Sequence, residues 1–138
     1  MIDLALTTAR VAVDADIVFP DGLPGFPDAH RFRVRSWPRP DEPFALLVDV
    51  DAPDEVAFAV VPATMLAEAR LDLLEAAAAH PTLRDLADVV VRCIVTPGHA
   101  PTVNLLAPIV VDRATGIARQ VALDGPPDAA RAPLVLLP

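Results

Sequence analysis

Lysine and tyrosine are missing from this chain, serine and cysteine occur once each, and aromatic residues make up only 4% of it. Each shortage closes a route. A single cysteine, Cys93, rules out an intrachain disulfide framework. Five phenylalanines and one tryptophan cannot build a core alone, so Val, Leu, Ile and Ala must supply most of the 54% hydrophobic content. The lone serine, Ser36 in "RVRSWP", lacks the flanking glycines of a nucleophile elbow. All 11 cations are arginine, which we read as codon bias, and 19 acids outnumber them to give a net charge of −8. That balance excludes a broad basic face for direct nucleic-acid binding and favours a basic partner. Charges or prolines interrupt every apolar run before it reaches membrane length. The opening "MIDLALTTARVAVDAD" has an acid at position 3 and no basic leader. The expected location is therefore the cytoplasm, with no membrane association.

The chain does have 16 prolines in its 138 residues. They fall between apolar runs and punctuate short strands instead of marking disorder. "IDLAL", "ARVAVDADIVF", "RFRVRSW", "FALLVDVD", "VAFAVVP" and "DVVVRCIVT" read as strands, and "TVNLLAPIVVD", "RATG" and "IARQVAL" read as strand, tight turn and strand, with Gly116 suited to a positive φ. In "RFRVRSW", Arg31, Arg33 and Arg35 share one face and Phe32 and Val34 the other. Pairing with "FALLVDVD" through a loop at 38–43 predicts Arg33 opposite Asp49, Arg31 opposite Asp51 and Phe32 opposite Val50. Leu46, Val48 and Val50 then line the core, and the arginines form a solvated, charge-paired face. Helix formers predict one or two short helices over about 72–87, with residues 64–70 open between helix and strand. The closing "PLVLLP" is expected to dock on the sheet. The fold class is mostly β: a small antiparallel β-barrel-like single domain over residues 1–138.

Catalytic chemistry has little to work with. Cys93 alternates with Val89, Val91 and Val95 and reads as a core residue. None of His30, His80 and His99 has a second His or Cys at ligand spacing, so neither metal nor cofactor is expected. Acids crowd Asp41, Glu42, Asp49, Asp51, Asp54 and Glu55 with no central glycine for a calcium loop. The stretch "FPDGLPGF" is no phosphate loop either. It lacks the G-x-x-x-x-G-K-[ST] spacing and the lysine, and Asp21 repels phosphate. Pro20, Gly22, Pro24, Gly25 and Phe26 read instead as a stiff corner that places Leu23 and Phe26. Asn104, in "TVNLLAPIVV", reads as a buried amide pairing with backbone, or as a partner contact.

Two stretches carry a family resemblance. "IVFPDGLPGFPDAHRFRV" resembles the strand, F-P-x-G-[IL]-P-G-F, acid and strand of the flagellar assembly factor FliW family. "IVTPGHAPTVNLLAPIVVDRATGIARQVAL" resembles that family's T-x-N-L-x-A-P-I-V-[IV] segment and its following hairpin. The resemblance covers nearly the whole chain. It implies a non-enzymatic β-barrel that binds flagellin in the cytoplasm and antagonises the translational repressor CsrA, coupling flagellin translation to export. The family's acidic, aromatic D-Y-E-F-x-L strand aligns with "LAEARL", where Glu68 and Leu71 match and Ala69 and Arg70 depart. On this reading Glu68, Asp49, Asp51, Asp54, Glu55 and Asn104 are the candidate partner contacts. The alternative is a small β-barrel enzyme or ligand-binding protein using loop histidines and carboxylates around an interior cavity.

Overall fold

A computed structural model describes residues 16–37, 43–52, 56–67 and 88–137. Among these residues nine strands form one sheet: β1 (Asp16–Val18), β2 (Arg31–Ser36), β3 (Ala45–Asp49), β4 (Ala57–Pro62), β5 (Val89–Thr96), β6 (Thr102–Val103), β7 (Ile109–Asp112), β8 (Ile117–Gln120) and β9 (Ala132–Pro133). Seven of them close a barrel in the order β1-β2-β3-β4-β5-β7-β8. Strand β5 makes closure possible by serving two neighbours along one edge. Its first half pairs with β7 and its last residues with β6, while β4 occupies the other edge. Strand β6 then carries β9. The expected mostly β barrel is what forms. One pair departs from the antiparallel expectation: β1 and β8 meet in parallel through Val18 and Ile117.

Among the described residues, the barrel interior is a packed core. Phe19, Phe32, Leu47, Val60, Ile109 and Ala118 are completely buried there, packed with Ile17, Val34 and Val111. A second core lies on the outer face of β4, β5 and β7, where Val61, Cys93, Val95 and Val110 are covered by Met65, Leu134 and Leu136. The C-terminal run docks as expected. Ala67 N donates to Val135 O at 3.0 Å and Leu137 N to Met65 O at 2.9 Å. Sandwiching β5 between two cores explains why its sequence, Arg92 apart, is apolar on both faces. Alternation places Cys93 on the outer, covered face, fully buried, and burial pushes its thiol up to about 12.

That shift predicts two outcomes. The thiol stays unreactive toward a disulfide reagent such as DTNB at neutral pH and reacts fully in denaturant. The unfolded thiol ionises first, near its ordinary value of 9.0, whereas the folded one holds its proton to about 12. Stability from this group is therefore present below the unfolded pKa and declines as pH rises through that window. Urea midpoints at pH 8 and pH 10, compared with Cys93→Ala, check the sign.

The hairpin register differs from the sequence expectation by one residue. Phe32 faces Asp49, Val34 faces Leu47 and Ser36 faces Ala45. Leu47 and Asp49 therefore point inward, and Leu46 and Val48 outward. A one-residue slip exchanges every side chain between faces. Alternation misled here because the outer face is apolar too: Leu46 packs into the second core. The charge-paired arginine face does form: Arg31 keeps Asp51, and Arg33 takes Asp16 in place of Asp49. Arg33 Nε donates to Asp16 Oδ1 at 2.9 Å, and Arg31 lies 3.9 Å from Asp51 across exposed side chains. The Arg33 hydrogen bond holds the Asp16 carboxyl below its ordinary value. At the hairpin base the rings of Trp37 and Phe44 pack 5.4 Å apart.

Residues 72–87, where short helices are expected, lie outside the described residues. The helical turns among the described residues are 3-10 turns at Ala63–Met65 and Pro127–Arg131. The segment left open between helix and strand begins with the first of these, followed by a bridge from Leu66 to Leu136.

Candidate interaction surfaces

The corner between β1 and β2 is built from fixed and permissive backbone. Gly22 N donates to Phe19 O at 3.0 Å, closing one turn. Pro24 and Gly25, at φ +83°, fit the two corners of a type II turn that clasps Leu23 and Phe26 through reciprocal bonds of 3.2 and 2.8 Å. Leu23 is buried, while Phe26 is 41% exposed and meets Phe58 edge-on at 5.8 Å. The corner thus places both side chains, one in the core and one on the surface. His30 is tied into the same corner, its Nδ1 lying 2.9 Å from Phe19 O. This geometry fixes a loop and, among the described residues, brings no carboxylate to the ring.

The acidic turn after β3 is partly internal. Asp49 is only 6% exposed, and its Oδ1 accepts the Asp51 N–H at 3.0 Å. The carboxylate shapes the turn, so the solvated face read from the sequence does not include it. Asp51 is open to solvent. Asp54, Glu55 and Glu68 lie outside the described residues. Asn104 is half-buried and turns the chain after β6: its Oδ1 accepts Leu106 N at 2.9 Å, while its own N–H bonds Ile94 O at 2.9 Å.

Two surface depressions stand out among the described residues. One, of about 260 Å³, is an apolar groove lined by Trp37, Phe44, Val95, Pro97, Pro101 and Leu134. The other, of about 450 Å³, runs between the Asp21–Gly25 corner and Ala118–Gln120 of β8. An Arg119–Asp21 ion pair spans it. Neither reaches His30 or His99, and His99 is exposed in the loop before β6.

Sequence reasoning passed over Arg92 and Asp112, which are 5% and 3% exposed. Arg92 sits between Val90 and Ile94 on the interior face of β5, and desolvation pushes its guanidinium down from its ordinary value. Strict alternation along "VVVRCIV" carried that signal. Asp112 starts the β7–β8 turn, its Oδ1 accepting Ala114 N at 3.0 Å. An acid directly before "RATG" was the available cue.

Comparison with known proteins supports one assignment. The FliW protein family matches residues 3–134. The flagellar assembly factor FliW of Bacillus licheniformis is 36% identical over 118 residues, covering 83% of this chain and 81% of the relative. Its counterpart in Bacillus subtilis is 36% identical over 111 residues, covering 78% and 76%. A crystal structure of the flagellar assembly factor FliW shares the fold with a TM-score of 0.58 at 23% identity, over 88% of this chain and 84% of that one. Both motifs first noticed in the sequence, the proline-glycine corner and the "TVNLLAPIVV" segment, fall inside the matched region, and the chain belongs to the FliW family of flagellar assembly factors.

Proposed function

We propose that this protein is a non-enzymatic binding factor that holds flagellin in the cytoplasm and, when freed, captures a CsrA-type translational repressor. Membership of the FliW family over residues 3–134 carries the reading. The molecule's physics agrees with it. A chain of net charge −8 attracts a basic, RNA-binding partner at a distance. The solvated acid after β3 is Asp51, and Asp54, Glu55 and Glu68 are proposed to extend that contact. The apolar groove at Trp37 and Phe44 offers flagellin a surface of different character. The filled barrel and the tethering of His30 to Phe19 O give the enzyme alternative no supporting geometry among the described residues.

Calorimetric titration with the organism's own flagellin and CsrA tests this. Both bind, and CsrA affinity falls about tenfold or more between roughly 0.05 and 0.5 M salt, because exposed charges are screened. Asp51→Arg weakens CsrA about three- to tenfold and leaves flagellin unchanged. Its own ion pair with Arg31 is exposed on both sides, so folding is little affected. Binding of neither protein sinks the proposal. Undiminished CsrA binding by Asp51→Arg removes the acidic turn from it.

A further inference from the structure

The barrel is closed between β1 and β8 by one short stretch of ladder, and beyond it the seam is open. Val18 N donates to Gly116 O at 2.9 Å, and the parallel bridge of Val18 to Ile117 completes the contact. The next donor in this ladder belongs to residue 20, opposite Ala118 O. Residue 20 is proline and has no N–H. The chain turns away there into the Gly22–Gly25 corner.

Beyond Gln120, where β8 ends, the chain nevertheless keeps its register. Val121 N bonds Pro108 O at 2.9 Å and Leu123 N bonds Leu106 O at 2.7 Å, so the odd-numbered residues face β7 and its approach. By alternation, Ala118 C=O, both backbone groups of Gln120 and the N–H of Ala122 face the seam. Among the described residues none of these four groups has a hydrogen-bond partner. They front the groove of about 450 Å³ whose opposite wall is Asp21, Leu23 and Pro24. Arg119 adds a further unmet donor: its Nη1 is held by Asp21, while its Nε is buried with no acceptor among the described residues.

We propose that this seam is a docking site for an extended peptide segment of a partner protein, which adds as a strand to the free edge of β8. Unpaired ladder groups are a template for such addition. The reach from Ala118 to Ala122 fits a segment of about five residues. A peptide carbonyl meets Gln120 N–H, a peptide N–H meets Ala118 O, and a second carbonyl is available to Arg119 Nε once it turns from Asp21. The rim sets the charge. Asp21 remains 75% exposed despite its ion pair, and Asp124 is exposed just past the edge. Two carboxylates against one guanidinium select a lysine- or arginine-bearing segment. This site is separate from the acidic turn at Asp51 and is tested without CsrA or flagellin.

The experiment is a nitrogen-15 amide NMR titration of the full chain with the peptide acetyl-Lys-Val-Thr-Val-Lys-amide. The same peptide N-methylated at threonine and the glutamate-flanked analogue serve as comparisons. The expected result is saturable shifts centred on the Gln120 and Ala122 amides and on Gly22 and Gly25. N-methylation weakens binding at least fivefold, and so does exchange of lysine for glutamate. Absence of saturable shifts, shifts centred elsewhere, or equal affinity of the N-methylated peptide would each overturn the proposal.

Discussion

Replacing Phe32 with alanine is expected to cost about 3–5 kcal/mol, because it removes the centre of the barrel's aromatic packing. Phe32 is completely buried. It meets Phe19 edge-on at 5.4 Å and 79°, and Phe58 at 6.2 Å and 42°. Phe58 in turn supports Phe26 at 5.8 Å. Four of the chain's five phenylalanines thus form one connected group, with aliphatic side chains around it. Little else in so aromatic-poor an interior has the volume to fill the cavity. A domain of this size has about 5–15 kcal/mol of total stability, so the variant sits near its unfolding threshold. Thermal unfolding should fall by roughly 10–15 °C. Phe44→Ala is the control. Phe44 is half-buried outside the barrel against Trp37, and its loss should cost about 1–2 kcal/mol. Equal costs for the two variants would contradict the interior role of Phe32.

Much of this barrel was legible because strands separated by proline and glycine announce themselves. The runs that became β2, β4, β5 and β8 were visible as alternation or β-branched content, and Gly116 takes φ +76° as its turn requires, whereas "TVNLLAPIVVD", read as one strand, breaks at the Asn104 turn into β6 and β7. The hairpin register was not legible, since "FALLVDV" is apolar on both faces and the outer cover over Leu46 comes from distant segments. The inward turn of Asp49 was hidden for the same reason. Its bond to Asp51 N is local, but burial depends on which face β2 presents to it. Parallel closure of β1 on β8 joins residues about a hundred positions apart, and no local pattern encodes it. The candidate contacts divide along the same line. The corner's turn chemistry was readable from its prolines and glycines. The open seam beside it was not, because it needs both Pro20 and the run of β8 past Ala118 in one place.

Gly22→Ala should be the most damaging of the glycine substitutions in the corner, and pairing it with Gly25→Ala separates two causes. Both residues have positive φ, +70° and +83°, where a side chain costs about 1–2 kcal/mol. They differ in space. A Cβ on Gly25 meets nothing within 4 Å, so Gly25→Ala should cost only that conformational amount. A Cβ on Gly22 would lie 2.5 Å from Pro27 O, 2.8 Å from Pro27 C and 2.9 Å from Pro27 Cα. These are backbone atoms of a ring-constrained residue, and no rotamer change can move them aside. The corner must open, lifting Leu23 from the core and widening the groove against β8. About 3 kcal/mol or more is expected from strain and lost burial together. Urea unfolding of the two variants measures the difference directly. If Gly22→Ala costs no more than Gly25→Ala, the close approach of Pro27 is not what holds the corner. If it costs more and the folded variant also loses affinity for the lysine-flanked peptide, the same backbone contact shapes the fold's entry loop and the seam it leaves open.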